Sequence, residues 1–279
     1  MKLVSVGECT RDCYLDLGVE FVGGISLNFA VNARRSGASQ VALVSCTGTD
    51  GAARAIRDKV AREGVDATHL SVMHGSTASQ EVLLSHLGER VFPSGGYQAG
   101  VLADYGLDAS DLSLDASDLD FIRTFDVVAA PYFRQVEHLF QPAMQAAEGA
   151  MRVADLLEGE DLGHDLAGID VILDTIDLVF ISGDEATAEL LLPRSAQTRT
   201  LIVVTHGALG SSALCNGRRY VEPAVEVPHD QRIDTTGCGD AFQAAFTVEY
   251  FERGAIPDAL RAGALRASRV IRHLGATGV

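Results

Sequence analysis

Apolar positions along this chain fall into short β-rich runs separated by stretches with helical spacing. The runs Leu3–Val6, Val41–Cys46, Val127–Ala130, Arg152–Ala154, Leu178–Ile181 and Leu201–Thr205 predict strands. Between them, Ser26–Arg35, Gly51–Glu63, Arg134–Glu148 and Asp184–Leu191 predict helices. Such alternation predicts an α/β fold with a mostly parallel central sheet covered on both faces. Two segments break the pattern. Thr10–Val22 and Ser71–Phe92 are strand-like, and no helix is expected between Ser71 and Phe92. We expect these two to pair as a small separate sheet: a β lid from residues 9–22 and 71–96, inserted into a core of residues 1–8, 23–70 and 97–279. The chain closes with two predicted helices, Cys238–Arg253 and Pro257–Leu274. Gly254 suits the end of the first and Pro257 the first turn of the second.

Composition narrows the function. With 279 residues, 47% hydrophobic and 22% charged, the chain can bury a sizeable core. Its apolar runs are far too short to cross a bilayer, and the N-terminus lacks the apolar stretch of a signal peptide, so no membrane partner and a cytoplasmic location are expected. The net charge is −16 and Lys/Arg never cluster beyond two neighbours, which argues against nucleic acid. Five cysteines without a Cys-x-x-Cys pair suit a reduced compartment, and the scattered histidines lack zinc-site spacing. There is no Gly-x-Ser-x-Gly hydrolase elbow, and no Gly-x-Gly-x-x-Gly follows the first strand, which makes a dehydrogenase remote. Lys2 and Lys59 are the only lysines, and neither sits in a P-loop or a kinase-type Val-Ala-Ile-Lys strand. Any use of ATP must therefore rely on backbone donors, Mg²⁺ and arginine. One local duplication, Leu107–Leu112 repeated as Leu114–Leu119, reads as a lengthened surface loop whose Asp and Ser residues form turns or helix caps.

The strongest chemical signal is Ile233-Asp234-Thr235-Thr236-Gly237-Cys238-Gly239-Asp240-Ala241-Phe242. Glycines at alternate positions let backbone N–H groups converge on an anion without obstruction by Cβ. The apolar helix that follows directs its unpaired N–H groups and positive dipole end to the same point, an arrangement suited to a transferring phosphoryl group. Asp240 stands there too, where it can accept a proton from an attacking hydroxyl. A second signal is Gly23-Gly24-Ile25-Ser26-Leu27-Asn28, two glycines opening a helix whose first turn carries Asn28, able both to donate and to accept hydrogen bonds.

The ten-residue string around Asp240 resembles the second signature of the ribokinase (PfkB) family of carbohydrate kinases, Asp-Thr-x-Gly-Ala-Gly-Asp-x-Phe, with Cys238 in place of Ala. The Gly23–Asn28 segment is similar to the family's N-terminal signature, although Ile25 stands where Lys or Gly is usual. The Gly48 to Gly51 turn also fits. Family motifs run in order over essentially the whole chain. The resemblance implies a ribokinase-like three-layer sandwich with a β-sheet lid and ATP- and Mg²⁺-dependent phosphorylation of a sugar hydroxyl. It implies that Asp240 is the base, with Gly237, Cys238 and Gly239 stabilising the phosphoryl charge. Asp12, Gly23, Gly24 and Asn28 would hold sugar hydroxyls. Ser182-Gly183-Asp184-Glu185 resembles the family's Asn-x-x-Glu segment, which assigns Glu185 to Mg²⁺ through water and sets Ser182 in place of Asn. Thr205-His206-Gly207-Ala208-Leu209-Gly210 resembles the strand-end Thr-x-Gly-x-x-Gly beside the nucleotide, so that Ser182, Thr205, Gly207, Gly210 and Thr236 would meet ATP. The resemblance extends to a monovalent cation, K⁺, beside Asp234 and Thr236.

The lid decides the acceptor. Met73–Val82, Gly88–Phe92 and Gly100–Asp104 look most like those of fructoselysine 6-kinases within the family. In that reading the acceptor is a small sugar-amine, and its amino-acid carboxylate meets Arg90 as a bidentate fork; Arg90 reads equally well as an exposed strand charge. Gln80 and Glu81 lie on opposite faces of a strand, so at most one faces the sugar, and Gln80 is taken. Ribokinase, fructokinase and ketodeoxygluconate kinase activities are the alternatives, with a non-catalytic sugar- or nucleotide-binding protein more remote. The edges of the lid sheet imply a homodimer formed through it.

Overall fold

The computed structural model describes residues 1–105, 114–159, 162–163 and 166–277. Strand β1 (Lys2–Val6) lies in the middle of the main sheet, parallel to β4 (Gln40–Thr47) on one side and to β9 (Val127–Pro131) on the other. Beyond β4 lies β5 (Leu70–Val72). Beyond β9 follow β10 (Met151–Asp155), β11 (Leu178–Ser182) and β12 (Leu201–Thr205), all parallel. An antiparallel pair, β13 (Ser211–Cys215) and β14 (Arg218–Glu222), completes nine strands in the order β14-β13-β12-β11-β10-β9-β1-β4-β5. The order reverses at β1, so a crevice opens beyond the C-terminal ends of β1 and β9, where open α/β sheets bind ligands.

Side chains alternate across each strand and build two apolar layers. One layer holds Leu3 and Phe180 together with Leu27 and Phe29 of α1 (Ile25–Arg35), Ile56 of α2 (Gly51–Arg62), Phe246 of α7 (Cys238–Arg253) and Leu260 of α8 (Ile256–Val270). The other layer holds Val4 and Val6 together with Ile122 of α3 (Ala116–Ile122), Leu139 of α4 (Glu137–Ala146), Ile169 of α5 (Ile169–Leu173) and Leu191 of α6 (Glu185–Ser195). No helix among the described residues is long and apolar enough to cross a membrane.

A second, five-stranded sheet contains β2 (Thr10–Tyr14), β3 (Val19–Gly23), β6 (Ser79–Leu84), β7 (Arg90–Val91) and β8 (Tyr97–Gln98). The two strand-like insertions do pair, through parallel contact of β2 with β6. The sheet draws on residues 10–23 and 79–98 rather than 9–22 and 71–96. Leu70–Val72 stays with β4 in the main sheet, and Tyr97–Gln98 joins β6 in the small one.

The expected strands and helices are all present. Strand Leu201–Thr205 and helix Cys238–Arg253 have the expected bounds, while α4 begins at Glu137 and α8 ends at Val270. Gly254 closes α7 with φ 70°. The β13–β14 hairpin was not expected from the alternation of strands and helices. Its turn, Asn216-Gly217, takes φ of 50° and 70°, the left-handed pair that a tight hairpin requires. In the duplicated loop, Asp115 caps α3 by accepting the Asp118 N–H at 2.8 Å; the first copy, Leu107–Leu112, lies outside the described residues.

Candidate active site

A cleft of about 380 Å³ opens at the β1–β9 switch point, roofed by the small sheet. Asp12, Gly24, Asn28, Gln80, Arg90, Ser182, Thr236, Gly237, Gly239 and Asp240 all line it, so residues far apart in the chain converge there.

The acceptor end is built on β2 and α1. Asp12 is buried and accepts the Thr10 hydroxyl at 2.6 Å. Burial, opposed by that hydrogen bond and helped by the neighbouring Glu8, Asp240 and Asp234 charges, raises its pKa to about 7. Gly23 does not line the cleft. Its role is to make room, since a Cβ there would sit 1.9 Å from Asp12 Oδ2. Gly24 caps α1 with φ 100°, and a Cβ would meet Cys9 Cα at 2.7 Å. Asn28 donates to Asp240 Oδ2 at 2.8 Å, while its own Oδ1 is buried without a partner. Gln80 faces the cleft and Glu81 does not, as their opposite faces require. Arg90 also reaches the cleft, with its guanidinium 4.6 Å from the Phe92 ring centre.

The transfer end is the start of α7. Gly237 takes φ 77° and packs so closely that a Cβ would lie 2.2 Å from the Ala276 carbonyl, whereas Gly239 has open space beside it. The Cys238 N–H bonds back to the Thr235 carbonyl at 3.2 Å. Gly237 and Gly239 line the cleft, whereas Cys238 does not. Burial pushes the Cys238 thiol up to about 12, which keeps it unreactive. Thr236 leaves its Oγ1 buried and unpaired in the same wall. Asp240 is half-buried, and burial raises its pKa against the Asn28 hydrogen bond and the Arg90 charge.

Several expected residues stand elsewhere. Asp234 is fully buried behind the cleft, where Tyr14 (2.6 Å), Gly275 N–H (2.8 Å) and Thr236 N–H (2.8 Å) donate to its two oxygens. Through these bonds Asp234 ties the lid to the loop before α7. The Arg90 N–H to Thr235 Oγ1 and Thr235 N–H to Gly88 carbonyl bonds, each 3.0 Å, reinforce that tie. Glu185 opens α6 but its carboxylate is held bidentately by Arg219, with one contact at 2.6 Å, and it does not line the cleft. Thr205 meets Ser182 hydroxyl to hydroxyl at 3.2 Å without itself lining the cleft. Gly207 opens the exposed turn beyond β12, and Gly210 packs where a Cβ would lie 2.2 Å from the Glu222 carbonyl.

Three acids that sequence reasoning missed, Glu8, Asp155 and Glu158, also line the cleft. Asp155 ends β10 and accepts the Leu157 N–H at 3.0 Å; burial and then the Asp240 charge raise its pKa to about 7. Glu8 ends the β1 segment, buried beside the start of α1. Their position just past strands β10 and β1, at the ligand-binding edge of the sheet, is the signal that could have found them.

Open backbone donors at a helix start, facing a carboxylate and a polar acceptor wall, fit a phosphoryl donor. Magnesium carried on nucleotide phosphates needs few protein ligands, and Asp155 is the cleft-lining carboxylate that fits it.

Comparison with known proteins agrees with this geometry. The model of the pfkB family carbohydrate kinases matches residues 2–279. The fructoselysine 6-kinase of Escherichia coli (strain K12) is 30% identical over 277 residues, covering 98% of both chains. The fructosamine kinase of Bacillus subtilis (strain 168) is 26% identical over 285 residues, spanning 100% of this chain and 93% of its own. Among solved structures, an Arabidopsis thaliana ribokinase complexed with ribose and ATP superposes with a TM-score of 0.77 at 20% identity, covering 99% of this chain and 94% of that one.

Proposed function

This chain belongs to the pfkB family of carbohydrate kinases, and from that premise we propose that it transfers the γ-phosphoryl group of ATP to the 6-hydroxyl of fructoselysine or a closely related fructosamine. The observation that carries the reading is the convergence of Asp12 and Asn28 with Asp240 and the Gly237–Gly239 turn on one cleft. Asp12 and Asn28 hold the sugar hydroxyls, with the unpaired Asn28 Oδ1 accepting one of them. Asp240 accepts the proton of the attacking hydroxyl, and Asn28 keeps its carboxylate turned to that proton. The Gly237 and Gly239 N–H groups, at the positive end of α7, stabilise charge as the phosphoryl group moves. Bound Mg²⁺ offsets the nucleotide's phosphate charge; we assign Asp155 to it, and Glu185 through water once its carboxylate turns from Arg219.

The substrate choice is supported by the relatives that cover nearly the whole chain and by the charge of the cleft. Its lining holds five acids and two arginines, which disfavours an acidic sugar such as ketodeoxygluconate over a cationic sugar-amine. Arg90 is our candidate for the amino-acid carboxylate. Exposed Leu15 and Leu17 in the β2–β3 turn, Val91 of β7 and Phe92 just after it support pairing of two copies through the small sheet. The test of function is incubation with ATP-Mg²⁺ and a pool of fructoselysine, fructose, ribose and ketodeoxygluconate, read by mass spectrometry. We expect phosphorylated fructoselysine to dominate. Phosphorylation of a plain sugar in preference would overturn the fructosamine assignment and keep the kinase.

A further inference from the structure

Seven buried side-chain polar atoms lack a hydrogen-bond partner among the described residues, and four of them face this one cleft: Glu8 Oε2, Asn28 Oδ1, Tyr97 OH and Thr236 Oγ1. Buried polar groups are nearly always paired, so a cluster of unpaired ones on one wall marks the place of a ligand. Asn28 and Thr236 belong to the sugar and phosphoryl ends already described. Glu8 and Tyr97 belong to neither.

Glu8 is 5% exposed. Its Oε1 accepts the Ile25 N–H at 3.2 Å, which anchors the carboxyl against the start of α1 and leaves Oε2 free. Tyr97 comes from the opposite side, on β8 of the small sheet, its ring held edge-on to Phe133 at 6.2 Å. Its hydroxyl is near enough to favour the ionised form of Glu8, yet the two fall short of a hydrogen bond. Burial works in the other direction and raises the Glu8 pKa, and the Asp240 charge adds to it. Asp12 feels Glu8 as a further negative charge. The acceptor end therefore concentrates three carboxyl groups, of which Asp240 feels the Arg90 charge, and a positive charge that carries hydrogen-bond donors would complement the other two. A sugar hydroxyl would fill the hydrogen bond and leave the charge.

We propose that Glu8 and Tyr97 form a subsite for a protonated amine on the acceptor, with Glu8 Oε2 accepting one N–H and the Tyr97 oxygen another. The inference deepens the fructosamine reading and rests on it for where the acceptor lies. Glu8 then determines specificity: it favours a ketose bearing an ammonium group at C1 over the same ketose with a hydroxyl there. A charge-assisted hydrogen bond in a shielded site changes affinity by about 10- to 100-fold.

The experiment measures binding of 1-amino-1-deoxyfructose and of fructose by calorimetry, for the wild type, Glu8→Gln and Tyr97→Phe, with turnover of fructoselysine measured alongside. We expect the wild type to prefer the aminated ketose by about tenfold or more, Glu8→Gln to bring that ratio close to one, and Tyr97→Phe to lower it several-fold. The ratio cancels any general loss of binding, and Tyr97→Phe carries the test if Glu8→Gln does not fold. A preference that survives in both variants, or its absence from the wild type, overturns the subsite. If fructoselysine is turned over but the preference is independent of Glu8, the subsite falls and the fructosamine reading stands. If no fructosamine is phosphorylated but the preference disappears with Glu8, the subsite stands and that reading falls.

Discussion

Gly23→Ala is a demanding test of how the acceptor end is assembled. Gly23 ends β3 opposite Thr10 of β2, and its backbone φ is one that alanine adopts readily, so any effect comes from the added methyl group. That methyl would stand 1.9 Å from Asp12 Oδ2, 2.4 Å from Cγ and 2.6 Å from Oδ1, where ordinary contact begins near 3.4 Å. The whole carboxyl must move by about 1 Å, and a misplacement of about 1 Å in a positioning group costs roughly 100-fold in rate. The shift also breaks the 2.6 Å bond from Thr10. Overpacking adds a stability loss of about 1–3 kcal/mol. Steady-state kinetics with fructoselysine should show kcat/KM reduced by about 100-fold, mainly through KM, because Asp240 and the Gly237–Gly239 turn are untouched. Gly51→Ala serves as control, since its added methyl meets nothing within 4 Å. Wild-type KM in a folded Gly23→Ala protein would refute the claim that Asp12 holds the acceptor from its present position.

Three further predictions follow from other parts of the cleft. Asp155 has its pKa raised from 3.8 to about 7, so the folded protein holds that proton more tightly than the unfolded chain; the associated stability is present below pH 3.8 and is lost as pH rises through about 7. Asp155→Asn should therefore melt increasingly above the wild type between about pH 4 and 7 and level off beyond, and a difference in melting temperature that does not vary with pH would contradict this. Arg90→Ala should raise KM for fructoselysine by about tenfold but change that for 1-amino-1-deoxyfructose much less, since only the former has a carboxylate to lose; equal effects would make Arg90 a general cleft residue. Gly237→Ala should lower the melting temperature and nearly abolish turnover, because its methyl would lie 2.2 Å from the Ala276 carbonyl in a left-handed backbone; a stable, active variant would refute the tight packing at the start of α7.

What the chain discloses about itself depends on how local the information is. The parallel strands and covering helices follow from apolar runs and spacing, and α7 is readable because Gly237 and Gly254 bracket it with left-handed backbone at both ends. The β13–β14 hairpin is marked only by its Asn216-Gly217 turn, since its short strands lie where the βα alternation predicts nothing. Site residues divide along the same line. Gly24, Asn28, Gly237, Gly239 and Asp240 lie in short motifs whose local geometry is their function. Asp234 is different: its motif is legible, but two of its donors, Tyr14 and Gly275, come from far along the chain. Glu185 likewise pairs with Arg219, 34 residues away, a partner its own motif does not show. Glu8 and Asp155 have unremarkable neighbours in the chain and gain meaning only where two strands end at the same crevice.

The most direct test of the account is a comparison of the wild type with Asp240→Asn, measuring fructoselysine binding by calorimetry and phosphorylated product by mass spectrometry on the same preparations. We expect the variant to bind the acceptor within a few-fold of the wild type while turnover falls by about 100- to 10,000-fold, the loss of a general base. Turnover near the wild-type rate in Asp240→Asn would contradict the account at its centre, because the hydroxyl would then be losing its proton without the carboxylate that Asn28 holds in place.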